Sequence, residues 1–310
     1  MNHFLTLNSL DTKNLLNLVE TGYQLTLSGI PKSMQLIGKY IGIYFRAPST
    51  RTRTAFNVAA QRLGASVINY GPQDLQLVTG ETVNDTAIIL SQFLDALVMR
   101  TNGDDEELEQ FSRQNKMPIV NALTKGEHPT QAITDLITIR ETFGALKGIH
   151  VLYLGEANNT AIALARAISR VPGMRLTMRT PLGYGMTDDI QQNILSTCRE
   201  TGAEIQFANN MLNIPNDIDV IYTTRWESMG ATHADENWLD SFLPFRVSND
   251  LLQKIDCKKT VKFMHDLPAT RNQEICNSLL DGPNSIVLRQ AFHKLTGAIV
   301  VLSHSLNTIV

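Results

Sequence analysis

Short apolar runs recur along the chain, each followed by a longer stretch in which apolar residues return at helical spacing. After a helix near Leu10–Leu27, strand-like runs fall at 41–45, 66–70, 95–99 and 117–120, separated by helical patterns at 53–63, 83–93 and 105–115. The alternation resumes at Ile149–Leu154 and continues at 174–178, 204–207, 218–222 and 261–264. Strand–helix–strand order of this kind predicts an α/β protein whose parallel sheets carry helices on both faces. Gly144-Ala145-Leu146-Lys147-Gly148 separates the two series and is the expected hinge, with helix 130–143 leading into it. The reading is two α/β domains, 1–140 and 141–287, followed by an apolar terminal helix within 288–310.

The candidate chemistry lies where strands end. Tyr40–Phe45 runs into Arg46-Ala47-Pro48-Ser49-Thr50-Arg51-Thr52-Arg53, and an amphipathic helical pattern follows. A helix N-terminus offers unpaired N–H donors and the positive end of a dipole, and hydroxyls and guanidinium groups added there make an anion cradle. An ordinary capping turn with solvated arginines is the alternative. A second helix start, Glu127-His128-Pro129-Thr130-Gln131, brings an imidazole and a carboxamide, both able to hold or polarise a small carbonyl compound; a helix-capping core histidine is the alternative there. A third segment, Val261–Leu267 followed by Pro268, has the same form.

Composition narrows the class without naming it. A chain of 310 residues can form sizeable cores, and a formal charge of −3 with dispersed basic residues gives no reason to expect nucleic acid. Cys198, Cys257 and Cys276 have no C-x-x-C spacing, which favours reduced thiols and a cytoplasmic setting. No signal-peptide pattern opens the sequence, and no apolar run is long enough for a bilayer. His, Cys and carboxylate residues show no metal-ligand spacing, so neither a metal nor another cofactor is expected.

Several motifs stand in one order: S-T-R-T-R at 49–53, V-M-R at 98–100, H-P-T-Q at 128–131 with D-L-I-T at 135–138, Y-T-x-x-W-x-S-M-G at 222–230, and H-x-L-P at 265–268. In this order and approximate spacing they resemble the aspartate/ornithine carbamoyltransferase family. Gly71-Pro72 leading to Gln76, Glu81 and Asp85-Thr86, together with Gly155–Asn159, look closer to its ornithine branch. The resemblance implies a carbamoyl phosphate-binding first domain with the terminal helix packed back on it, and a second domain that binds an amino acid or related amine. It implies that Ser49, Thr50, Arg51 and Thr52 hold the phosphate while Arg53 is structural. Arg100 would bridge phosphate and carbonyl oxygens, His128 would bond the carbonyl oxygen, and Gln131 and the backbone around Leu267 would take the carbamoyl NH₂. Gln76 would reach a neighbouring subunit's site, implying a homotrimer with shared active sites.

The second-substrate half departs from both branches. Thr224 and Asp266 stand where ornithine enzymes of the family carry Asp and Cys, Lys294 stands near the C-terminus where they carry Arg, and Glu156 replaces an Asp. Thr224-Arg225 matches the T-R pair of the aspartate branch, yet Thr79 replaces its Lys, and the arginine after its Gly-Asp loop is absent. Exchanging a carboxylate for Thr224 removes an ammonium partner, Arg225 adds a carboxylate partner, and Asp266 places an acid near the attacking nitrogen. Arg225 and Asp266 pairing with each other or pointing to solvent is the alternative. Asn159, Ser228 and Met229 remain for an amino-acid head group. The expectation is a carbamoyltransferase in which Arg100, His128 and Asp266 carry catalysis and the acceptor is neither ornithine nor aspartate, with a short diamino acid such as 2,3-diaminopropionate as one candidate. An authentic ornithine carbamoyltransferase and a silent binding paralogue are the alternatives. A dinucleotide-binding oxidoreductase is disfavoured, because Gly155–Asn159 is not G-x-G-x-x-G.

Overall fold

The computed structural model describes residues 2–29, 34–227 and 237–308. The chain forms two compact units, Met1–Arg140 with Phe292–Val310, and Glu141–Ala291. It passes between them within two helices, α5 (Pro129–Phe143) and α11 (Val287–Ser305), so the division of the last helix falls at 291/292 rather than ahead of 288.

In the first unit, α1 (Thr12–Ser28) precedes β1 (Tyr40–Phe45), α2 (Arg51–Arg62), β2 (Ser66–Tyr70), α3 (Val83–Leu90), β3 (Ala96–Arg100), α4 (Asp105–Ser112) and β4 (Ile119–Leu123). The strands pair in parallel in the order β2-β1-β3-β4. Most boundaries fall close to the sequence pattern, and the differences have local causes. The Asp11 carboxylate accepts the Asn14 N–H at 2.7 Å, so α1 opens at Thr12 rather than Leu10. Ser91 Oγ donates to the Ile88 carbonyl at 2.7 Å and helps close α3 at Leu90, short of 93. β4 runs on past 120 because Asn121 N–H finds the Phe4 carbonyl at 2.8 Å. Leu97, Met99, Leu108, Phe111 and Ile119 form the buried core on one side of this sheet. Such side chains each contribute roughly 1.5–3 kcal/mol through loss of contact with water.

Glycines let the helices of this unit approach closely. A Cβ built on Gly22 of α1 would meet Ile137 at 2.3 Å, and one on Gly297 of α11 would meet Thr134 at 2.8 Å. The end of the terminal helix thus lies directly on α5.

The second unit contains β5 (His150–Leu154), α6 (Asn159–Ile168), β6 (Arg175–Arg179), α7 (Asp188–Thr201), β7 (Glu204–Ala208), β8 (Val220–Thr223), α8 (Trp238–Phe242), α9 (Asn249–Lys254), β9 (Lys262–His265) and α10 (Asn277–Leu280). Its strands are parallel in the order β7-β6-β5-β8-β9. The chain builds outward from β5 in one direction and then reverses to β8. Ligands of open parallel sheets bind outside the carboxyl ends of strands at such a reversal, because the flanking connections leave on opposite faces. Gly155–Asn159, Thr224 and Asp266 all follow strands on that edge. No helix among the described residues is long and apolar enough to cross a membrane.

Candidate active site

Parallel pairing of β1 with β3 puts Phe45 opposite Arg100 and brings two strand ends together. Arg46 N–H donates to the Arg100 carbonyl at 3.0 Å, and Arg100 Nη1 donates to Ser49 Oγ at 3.3 Å. α2 begins at Arg51, so Arg51, Thr52 and Arg53 form its first turn rather than a preceding loop. Their N–H groups are those a helix leaves without intrahelical partners, and no acidic residue lies in that turn to neutralise the dipole. Thr50 makes no side-chain cap, and Thr52 is buried. Arg53 Nε instead donates to Asn69 Oδ1 at 3.3 Å, tying the helix to β2.

His128, buried at 4 % exposure, directly precedes α5 in the same unit. Burial, then the charges of Lys294 and Arg100, hold its imidazole well below its ordinary pKa. Arg100 and, from α11, Lys294 are thus the two cations whose charge reaches His128. Gln131 is fixed at both ends. Its Nε2 donates to Asp135 Oδ1 at 2.7 Å, and its Oε1 accepts from Lys294 Nζ. Gln76 is not drawn into this group; it is exposed and its Oε1 accepts from Thr79 at 2.6 Å.

In the second unit, Gly155 makes the turn after β5 at φ 128°, and a Cβ there would sit 3.3 Å from the fully buried Trp226 ring. Asn158, rather than Asn159, caps α6: its Oδ1 accepts from the N–H groups of Thr160 and Ala161 at 3.1 and 3.2 Å. Its Nδ2 donates to Thr224 Oγ1 at 3.0 Å, and the Tyr153 hydroxyl lies 3.1 Å from the same oxygen. Thr224, expected to touch the acceptor, is therefore a 1 %-exposed hinge between two side chains, because both neighbours saturate its hydroxyl. Burial, and less strongly the nearby Asp266 charge, raise the Tyr153 phenol out of reach of physiological titration.

Asp266 accepts from Thr160 Oγ1 at 3.0 Å. Arg225 does not pair with it; its ion pair is with Glu227 at 3.5 Å, so the alternative in which the two charges cancel each other is not what the structure has. Asn159 forms the first residue of α6, beside this group. Ser228 and Met229 lie outside the described residues. Leu267 takes a left-handed conformation, φ 56°, with its N–H on His265 Nδ1 at 2.8 Å. Sequence reasoning passed over Asn158, Thr160, Tyr153 and Glu274. For Asn158 a signal existed, since an Asn just ahead of an apolar helical run is a capping pattern. For the others only the fold brings the partners together.

Comparison with known proteins identifies both halves of the chain. Residues 2–141 match the family model for the carbamoyl-P binding domain of aspartate/ornithine carbamoyltransferase, and 147–304 the one for its Asp/Orn binding domain. An ornithine carbamoyltransferase of Bacillus cereus (strain AH187) is 36% identical over 291 residues, 94% of this chain and 90% of that protein. The ornithine carbamoyltransferase of Pyrococcus furiosus superposes with a TM-score of 0.91 at 33% identity, covering 100% of this chain and 98% of that one. The anabolic enzyme of Campylobacter jejuni gives 0.90 at 28% identity, covering 99% of each. A carbamoyl phosphate-type half and an amino-acid-type half in register along nearly the whole length leave one assignment: the chain belongs to the aspartate/ornithine carbamoyltransferase family and is a carbamoyltransferase.

Proposed function

We propose that this enzyme carbamoylates the amine of an amino acid other than ornithine or aspartate, or of a related compound. The observation that carries this reading is the Asp266 carboxylate, held by Thr160 at the carboxyl end of β9. A carboxylate attracts an ammonium group and, once the amine is neutral, stabilises positive charge growing on the attacking nitrogen. Thr224 supplies no charge of its own, its hydroxyl lying between Asn158 and Tyr153.

In the reaction, Arg51, Ser49, Thr50 and the first-turn N–H groups of α2 hold the phosphate of carbamoyl phosphate. Arg100 bridges phosphate and carbonyl oxygens, with Thr52 beside it. His128 is neutral and donates a hydrogen bond to the carbonyl oxygen, its second cation neighbour Lys294 keeping it so. Gln131 and the Leu267 carbonyl accept from the carbamoyl NH₂. The amine lone pair forms the new C–N bond, charge passes to the carbonyl oxygen, and the C–O bond to phosphate breaks with its electron pair leaving on phosphate. The amine proton goes to the departing phosphate, directly or through Asp266. Asn159 and Arg225, with Ser228 and Met229, bind the head group. Donors aimed at the oxyanion and the leaving group contribute most in a reaction of this type.

The names of the relatives favour a second reading, ornithine itself as acceptor. Incubation of the enzyme with carbamoyl phosphate and a panel of short and long diamino acids, scored by phosphate release and ureido-product mass, separates the two. Efficient citrulline formation would overturn the altered-acceptor reading. The Gln76 loop supports a homotrimer with shared sites, and three unpaired cysteines support a reducing cytoplasm.

A further inference from the structure

Behind Asp266 and Leu267 lies a buried pair that no step above uses. His265 and Glu274 have fully buried side chains, and His265 Nε2 stands 2.9 Å from Glu274 Oε1. The same carboxylate oxygen accepts the Thr270 N–H at 2.7 Å, while Oε2 is buried without a hydrogen-bond partner. On the other edge of the ring, Nδ1 accepts the Leu267 N–H at 2.8 Å. A nitrogen that accepts an N–H carries no proton, so the ring proton is on Nε2 and is donated to Glu274. The 3.5 Å approach of Asp266 Oδ1 to Nδ1 is then a contact between lone pairs and leaves the carboxylate to Thr160.

From this geometry we infer that Glu274 is a positioning residue: it fixes the tautomer and plane of His265, and His265 in turn holds the Asp266–Leu267 turn in its productive shape. Leu267 needs such a hold. A leucine at φ 56° is in a conformation that L-residues avoid, and relaxation would swing both the Leu267 carbonyl and the Asp266 carboxylate. The strand side of the turn is anchored separately, since His265 N–H donates to Gln290 Oε1 at 2.9 Å and Gln290 Nε2 donates to the Tyr222 hydroxyl at 3.0 Å. Glu274 and His265 therefore govern the part of the turn that Gln290 does not. The inference rests on the proposed roles of Asp266 and Leu267, but the tautomer does not.

The experiment compares wild type, Glu274→Ala and Glu274→Gln. Glutamine keeps an oxygen that accepts from both His265 and Thr270, whereas alanine keeps none. Turnover with the best amine of the panel should fall roughly 10- to 100-fold in Glu274→Ala, as misplacement of reacting groups by about 1 Å does. Glu274→Gln should recover most of it, and inorganic phosphate should bind all three proteins with equal affinity. Nitrogen-15 spectra of labelled histidine should show His265 protonated on Nε2 in wild type and Glu274→Gln. Full activity in Glu274→Ala, or equal damage in Glu274→Gln, would overturn the positioning role. A proton on Nδ1 in the wild type would overturn it whatever the acceptor proves to be. Loss of phosphate binding in step with activity would show general unfolding and overturn it as well; should Glu274→Ala not fold, Glu274→Gln and the spectra decide alone.

Discussion

Lys294 on α11 donates its ammonium to the carboxamide oxygen of Gln131 on α5, and Gln131 passes the polarity on to Asp135. The cation is 8 % exposed and its field reaches His128. One substitution thus acts on two groups at the carbamoyl end.

Lys294→Met should weaken carbamoyl phosphate binding, since Gln131 loses the donor that sets its orientation. A charge-assisted hydrogen bond of this kind is worth roughly 1.5–3 kcal/mol, so calorimetry should show affinity falling by about one to two orders of magnitude. In the same variant the His128 titration, followed by NMR, should move up toward its ordinary value of 6.5, because one of the two cations that depress it has gone. Unchanged affinity together with an unmoved titration would remove Lys294 from the site.

Arg51→Ala and Arg100→Ala should each weaken carbamoyl phosphate binding by a similar roughly 1.5–3 kcal/mol. Arg53→Ala should act mainly on stability, since its guanidinium is engaged with Asn69. Titration calorimetry of the three variants tests the distinction, and equal affinity loss in all three would contradict it.

His128 also ties stability to pH. Its folded pKa is depressed by burial and by Lys294 and Arg100, so the unfolded chain binds the proton more readily. The contribution is present above the unfolded value of 6.5 and is lost as pH falls through the lower folded value. His3, His150 and His304 shift in the same direction, so the comparison needs a variant. Thermal melts from about pH 8 down to about pH 5 should fall more steeply for wild type than for His128→Asn. Parallel curves would mean that His128 titrates normally.

Thr160→Val should lower turnover with the true acceptor and leave carbamoyl phosphate affinity near its original value, since the Thr160 hydroxyl donates to Asp266. Asp266→Ala should do the same more severely. A matching loss of carbamoyl phosphate affinity in both would place Asp266 on the phosphate side of the chemistry.

How far the sequence could be read depended on whether a residue's partners are local. The strand–helix alternation, the polar turn after β1 and the start of α5 are written in contiguous residues, and the structure places all three close to where the pattern does. Long-range pairs are not written that way. Lys294 and Gln131 come from different helices, Thr160 and Asp266 from the start of α6 and the end of β9, and His265 meets Glu274 across a loop with no periodic signal. Thr224 misled for the same reason: a hydroxyl after a strand looks available until Tyr153 and Asn158 arrive from elsewhere in the chain to saturate it.

Gly155 should resist replacement. Its φ of 128° suits glycine alone, and a methyl group would press on Trp226, so Gly155→Ala should cost roughly 1–3 kcal/mol, read as a lowered Tm.

That rigidity has an evolutionary corollary. With the turn after β5 held between glycine geometry and an indole ring, that stretch of backbone gives descendants of this protein little room to move. Divergence toward a new amine must run through side chains hung on an unchanging frame, chiefly at 156, 160 and 266. A small library at those positions, with Gly155 and Trp226 held constant, is where changes of acceptor preference should be found.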